Sequence, residues 1–556
     1  MPGSGDGGIM SLHAFDALGG EYERMLFAYH PTLAAELGLH EYLGELGDFH
    51  LEAFESEARE LRGLLRRWEA LAGEVENWPV DQRIDYAWLG AGLRDRLRDI
   101  ERFALYRRNP LVYLEPAVFS SFPFFVRPYA SATGRLRALV SRLEQLPAVL
   151  DAAQANLLPP QVPPEWVKSA AQMAEGGALL YRQGIAGLAA EVDDAALLAS
   201  ADAALPIAEQ SLRAFTAYLT DEVQPAAQGA FAIGEAAFNE LLRERHFLDI
   251  DAAELLAIGE RLYAETEAEM ETVAATVMPG LTASEIVAAL NQEHLAAEEV
   301  LAVYTAEMER ARQFVFDNHL VGLPAEERLI IEPTPAGMRP LTPYAAYIPP
   351  GPFEADQVGI FLVTTVDPQA PAEIQAQQLQ GHSRWKVPTV ALHEGLPGHH
   401  LQLTWSNHNP SRLRKLAYST LFVEGWAFYC EQLLDDLGYL AHPKARLYRL
   451  AGQLWRAMRI ILDVSLHTRG MSPARAAELL QQAGLDAAGA AVEVQRYLMM
   501  PTQPMSYLIG KLEILKIMAE YQEREGNDFT LRKFHDTLLA AGSIPTALVR
   551  LSIFGE

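Results

Sequence analysis

Residues 387–402 read Val387-Pro388-Thr389-Val390-Ala391-Leu392-His393-Glu394-Gly395-Leu396-Pro397-Gly398-His399-His400-Leu401-Gln402. Pro388 suits the first turn of a helix. An apolar helix that carries His-Glu and then further histidines is the pattern of a zinc hydrolase. Neutral imidazole nitrogens bind Zn²⁺ at about 2.0–2.1 Å. A glutamate beside the first histidine is placed to take a proton from water at the ion.

The spacing departs from the usual His-Glu-x-x-His. In a regular helix, positions i and i+4 differ by about 40° and about 6 Å of rise, so both side chains reach one ion. His399 stands at i+6, roughly 240° round and on the opposite face. His400 stands at i+7, on the right face but about 10.5 Å along the axis. A straight helix makes neither pair. Pro397 supplies a break, because it lacks an N–H and its ring clashes with the carbonyl four residues back, that of His393. Gly398 then permits a backbone excursion. Without Pro397 and Gly398 the string is His-Glu-Gly-Leu-His, the usual register. The sequence therefore predicts a two-residue insertion that bulges the helix and brings His399 to the metal, with His400 as the alternative ligand.

A third ligand is available downstream. Residues 419–434 (STLFVEGWAFYCEQLL) read as a helix of nearly unbroken apolar character. Glutamate is almost never fully buried unless paired or bound to a cation. Glu424, among Phe422, Val423 and Trp426, is the candidate. Glu431, seven residues on and on the same face, is placed to orient a ligand histidine. Cys430 lies off that face and reads as a small core residue.

Outside these motifs, composition narrows the classes. The 556 residues carry 45 Lys+Arg against 73 Asp+Glu, a net charge of −28. That balance argues against nucleic acid and against an anionic membrane surface as partners. One cysteine excludes an intrachain disulfide and a Cys-rich zinc module, and it fits a reducing, cytoplasmic location. No run of about 18 apolar residues occurs, so no spanning helix is expected. The opening MPGSGDGGIMSL has neither a basic nor an apolar signal region, and residues 1–12 are expected to form a disordered leader. Helix-forming residues dominate. Segments 51–74, 133–156, 166–198, 200–222, 227–245 and 252–277 show three-to-four apolar spacing. Thr282-Ala283-Ser284-Glu285 has the form of a capping box. Proline-rich breaks fall at 158–164 and 333–352, and Gly359–Thr365 (GIFLVTT) reads as a strand. The fold class is mostly α. Residues 13–330 show little chemistry, whereas 331–556 hold nearly all the suspicious polar residues. The two regions are expected to form one continuous unit.

HEGLPGHHLQ at 393–402 and FVEGWAFYCE at 422–431 together resemble the bacterial family catalogued as domain of unknown function 885. That family's pattern is His-Glu-x-x-Pro-Gly-His-His-x-Gln, then Glu-Gly-Trp-Ala. It is grouped with the zincin-like metallopeptidases of the His-His-Glu type. Weaker matches run nearly end to end: His30 to Asp48, Tyr344–Pro350, Gly359–Thr365, Pro501–Lys511 and Phe534–Pro545. The resemblance implies a large helical zincin-like fold, similar to neurolysin-like or carboxypeptidase-Taq-like peptidases. A deep central cleft is expected, with residues 13–330 as one wall and a small β-sheet next to the metal helix. It implies a zinc-dependent metallopeptidase with one Zn²⁺ per chain on His393, His399 and Glu424, and Glu394 as general base. A developing oxyanion needs a further donor, and by analogy with related helical peptidases this is Tyr507. In zincins an edge strand pairs with extended peptide substrate, which assigns that role to 359–365. Arg339, Lys511, His535 and Arg550 are candidates to grip a substrate carboxylate. His400 and Glu431 are the supporting candidates, and His382 and His408 have no expected part. A deep cleft favours short peptides or chain ends as substrates. Two other readings stay open: a non-catalytic helical binding protein with a vestigial metal site, and a metal hydrolase of a non-peptide amide or ester.

Overall fold

Strong helix formers at three-to-four spacing form helices in the computed structural model, which describes residues 5–325, 327–335, 339, 342 and 344–556. The segment expected over 166–198 breaks after Ala189, however, and that over 227–245 begins only at Glu235. The predicted segments 133–156 and 252–277 appear as helices Ala132–Asn156 and Ala252–Val277. The helix expected over 51–74 stops at Glu69. At Thr282 the capping box forms: the hydroxyl accepts the Glu285 N–H while the Glu285 carboxylate accepts the Thr282 N–H. No helix among the described residues is long and apolar enough to cross a membrane.

Two expectations about organisation need correction. The leader predicted over 1–12 overlaps a helix, Gly5–Tyr29, and residues 1–4 lie outside the described residues. Phe15 and Leu18, both buried, anchor that helix, and the Trp78 indole donates to Ser11 Oγ at 3.0 Å. The division expected at 330 falls instead after residue 231. One unit comprises residues 1–231 with 335–341, the other 232–334 with 342–556. The reason lies in packing. Leu255 and Leu262 share one core with Leu421, Phe428, Ile460 and Leu508, so the helices after 231 belong with the motif-bearing helices. Alanine-rich composition alone does not reveal that partnership.

In the second unit, helices Ala252–Val277, Thr420–Asp436, Pro443–Thr468 and Ser506–Glu525 enclose this apolar core. Beside them lies a sheet of β1 (Arg328–Pro333), β2 (Ala345–Ile348) and β3 (Val358–Val363), ordered β1-β3-β2. β3 runs parallel to β1, with Ile330 opposite Ile360, and antiparallel to β2, with Tyr347 opposite Phe361. The predicted strand 359–365 is thus real and begins one residue early, but it is central. Both its edges are already paired, so it cannot add a substrate strand. Its run of apolar residues reflects burial on both faces. Phe361 and Val363 pack against Tyr304 and Met308 of the Val300–Asp317 helix and against Val387 and Ala391 of the Val387–Glu394 helix. The sheet therefore lies next to that helix, as expected.

Candidate metal centre

The first ligand helix, Val387–Glu394, ends where the sequence predicts trouble. Gly395 to Gly398 form a turn containing a cis Leu396–Pro397 peptide, and a new helix, His399–Asn407, starts at His399. The predicted bulge is therefore a complete break. Its turn folds back tightly: the Gly398 N–H donates to the Leu392 carbonyl at 3.0 Å. A Cβ on Gly398 would lie 1.9 Å from the His393 carbonyl oxygen, so no other residue fits. The Trp426 indole N–H donates to the Pro397 carbonyl at 2.7 Å, tying the turn to the helix that carries Glu424. This refolding sets the His399 ring 4.7 Å from the His393 ring at 89°.

His393, His399 and Glu424 each offer one ligand atom, and these atoms lie within 4.8 Å of one another. His399 Nε2 is 3.4 Å and His393 Nε2 is 3.8 Å from Glu424 Oε2. Glu424 Oε2 is buried without a hydrogen-bond partner. An unsatisfied buried polar atom costs about 1–3 kcal/mol, and more when charged, so this carboxylate fits a cation between it and the two imidazoles. Burial by itself raises the Glu424 carboxyl. The imidazoles of His399 and His393, with the Tyr507 hydroxyl, outweigh it and hold the carboxyl down at about 2. For His399, burial lowers the imidazole but the Glu424 carboxylate more than reverses this, so it ends raised. Two imidazoles and one carboxylate fit Zn²⁺ with an open fourth position.

Glu431 sits where its spacing predicts, 2.7 Å from His393 Nδ1. That contact leaves Nε2 facing the cluster. His400 is engaged elsewhere and is fully buried, at 0% exposure. Its Nε2 lies 2.6 Å from Glu327 Oε1 and its Nδ1 2.9 Å from the Tyr347 hydroxyl. Arg312 completes that network through two contacts to Glu327, each of 2.6 Å. The break thus brings His399, and not His400, to His393 and Glu424.

Glu424 and Tyr507 meet because their helices almost touch. A Cβ on Gly510 would lie 1.8 Å from the Leu421 carbonyl oxygen, so glycine is required there. Tyr507 lies one turn before Gly510 and shares a cavity of about 300 Å³ with His393, His399, Glu424 and Glu394. Arg456, Arg459 and Tyr418 also line this cavity. A second cavity of about 300 Å³ shares His393, Glu394 and Arg456 with the first.

Of the carboxylate-gripping candidates, Lys511, His535 and Arg550 are engaged elsewhere. Lys511 is buried, donates to Gln453 Oε1 at 2.7 Å, and is pushed down to about 7 by burial and then by Arg449. His535 is held by the Tyr429 hydroxyl at 2.9 Å and the Leu320 carbonyl at 2.7 Å. Arg550 pairs with Glu520. Arg339 groups with the first unit. His382 and His408 bind the carbonyls of Thr364 and Thr404, in keeping with no catalytic part. Sequence reasoning missed Arg456 and Arg459. Their signal was present, since both interrupt an apolar run, Leu454 to Leu462, as Glu424 interrupts its own.

The family model for bacterial proteins of unknown function, DUF885, matches residues 31–553. The chain belongs to this family. Two solved structures are similar over nearly the full length. A presumed lipoprotein of unknown function from Shewanella oneidensis is 23% identical, with 96% of this chain and 98% of that one covered and a TM-score of 0.76. A presumed lipoprotein from Colwellia psychrerythraea is 18% identical, with 98% of each chain covered and a TM-score of 0.81. These likenesses establish a shared fold for the DUF885 chain. No curated protein matches its sequence.

Proposed function

We propose that the protein is a zinc-dependent metallopeptidase of zincin-like type that hydrolyses short peptides or chain ends. The observation that carries this reading is the convergence of His393, His399 and Glu424 within 4.8 Å, with Glu394 on the wall of the same cavity. A divalent ion held by these three residues supplies a Lewis acid that polarises a carbonyl and lowers the pKa of water. Glu394 takes the proton from the attacking water and delivers it to the leaving amine nitrogen. The Tyr507 hydroxyl donates to the oxyanion as it develops. Glu431 fixes the tautomer and orientation of His393. With β3 covered on both sides, β2 is the strand to which an extended substrate adds. It is an outer strand of the sheet, and its Tyr347 lines the cavity.

The test is hydrolysis of a mixed peptide library by the zinc-loaded protein and by Glu394→Gln. Loss of general base catalysis is expected to cut the rate about 10²–10⁴-fold, with zinc content unchanged. Equal rates in the two proteins would overturn the assignment.

A further inference from the structure

We infer that Arg459 and Arg456 form a carboxylate subsite inside the metal cavity, and that the occupant is the free α-carboxylate of a peptide, which makes the enzyme a carboxypeptidase. This rests on the peptidase reading and adds the chain end on which it acts.

Arg459 is 3% exposed, yet it lines the cavity. Its Nε donates to the Tyr497 hydroxyl at 2.8 Å and its Nη2 to Glu493 Oε2 at 3.0 Å. Its Nη1 is buried with no partner. Arg456 Nε is likewise buried and unpartnered, and its Nη1 has only a long contact, 3.4 Å, to the Gly452 carbonyl one turn away. Glu493 also accepts Arg496 Nη2 at 3.0 Å, so one carboxylate serves two guanidiniums. Arg456, half-buried on the cavity wall, makes no ion pair within 4 Å among the described residues and feels the Glu431 and Glu424 carboxylates only at longer range. A buried donor without a partner is expensive to keep, and guanidinium groups match carboxylates in a two-pronged geometry.

The position of the two guanidiniums names the substrate. The guanidinium carbons of Arg459 and Arg456 lie 4.6 and 5.5 Å from the centre of the Tyr507 ring. Tyr507 in turn neighbours Glu424, so the anion is seated next to the reacting carbonyl. Arg459 is held flat against Trp455 at 4.1 Å, which fixes the subsite in advance of binding. Beyond His393, Glu394 and Arg456, the second cavity is lined by apolar Val390, Trp455 and Leu485 and by Tyr448, with Lys386 and Arg449 also on its surface. It takes the apolar side chains of the residues that precede the cleaved bond. A carboxylate beside the scissile bond comes from a free chain end or from an acidic side chain, and only the first makes a carboxypeptidase.

The test uses zinc-loaded full-length protein and one N-acetylated peptide in three forms: free acid, C-terminal amide, and amide with a terminal glutamate. Zinc content serves as the control for folding in each variant. Free acid is expected to be preferred over amide on the order of 10²-fold in kcat/KM, with the preference collapsing in Arg459→Gln and in Arg456→Gln. Independently, calorimetry on Glu394→Gln is expected to show N-acetyl-leucine binding where its amide does not, and Arg459→Gln is expected to lose that binding. Equal cleavage of free acid and amide would overturn the subsite while leaving the peptidase standing. Preference for the glutamate amide over the free acid would overturn the carboxypeptidase assignment. If no peptide is cleaved by wild type, the peptidase reading fails, and the calorimetry alone decides the subsite: equal binding of acid and amide overturns it.

Discussion

His393 meets the cluster through one nitrogen because the other is taken by Glu431 at 2.7 Å. Glu431→Gln is therefore expected to weaken zinc binding about 10–100-fold, measured by competition with a chelator. Unchanged affinity would remove Glu431 from this role. At this scale much of the site was legible. His393, Glu394, Glu424 and Glu431 stood out because each is a polar group in an apolar helix with a definite chemical use. Arg456 and Arg459 obey the same logic but did not stand out. Arginine commonly buries its stem and keeps its head in water, so an isolated arginine in a helix is a weak signal. What distinguishes these two is their place on the cavity wall, with Arg459 tied to Glu493 across helices, a contact that no local spacing reveals. The carboxylate-binding residues proposed from sequence, Lys511 and His535 among them, were instead satisfied inside the core.

Between the ligands, the helix break and the helix contact decide whether the site exists. Pro397 and Gly398 announced an interruption, but a bulge and a break share the same local pattern. The break is chosen by a tertiary tie, the Trp426 indole on the Pro397 carbonyl. Likewise the apolar run of β3 was readable as a strand. Its central place was not, because β1 and β2 are short, only partly buried and near proline-rich sequence. The close approach at Gly510 gives a prediction for this scale. Gly510→Ala places a Cβ 1.8 Å from the Leu421 carbonyl, so the helices must part. Overpacking of this kind is expected to cost at least about 1–3 kcal/mol and to lower the zinc content by moving Glu424. Thermal denaturation and metal analysis check both. An unchanged melting temperature would show that the contact is not needed.

Across the whole molecule, stability should depend on acid in a defined window. Burial raises Glu57 in the first unit, but hydrogen bonds from Arg96 and His30 outweigh it and hold the carboxyl at about 2. In the second unit, His400 and Arg312 do the same for Glu327 against burial, again to about 2. Both carboxyls bind protons less tightly when folded. Their contribution is fully present above the ordinary value of 4.5 and is lost as pH falls toward 2. Denaturation midpoints should therefore drop steeply between about pH 4.5 and 2, and Glu57→Gln should flatten that drop. A Glu57→Gln protein with the wild-type slope would contradict the pairing. At this scale the sequence was least informative. Helix content was plain, but the boundary after residue 231 depends on which apolar faces meet, as Leu255 and Leu262 meet Leu421 and Phe428.

The most direct measurement is zinc per chain, by plasma mass spectrometry, on protein purified without added metal or a histidine tag. Wild type is compared with His399→Ala, Glu424→Ala and His400→Ala. About one zinc is expected in wild type and in His400→Ala, and none in the other two. Wild type without metal even after zinc supplementation, or zinc kept in His399→Ala and lost in His400→Ala, would contradict the site as described.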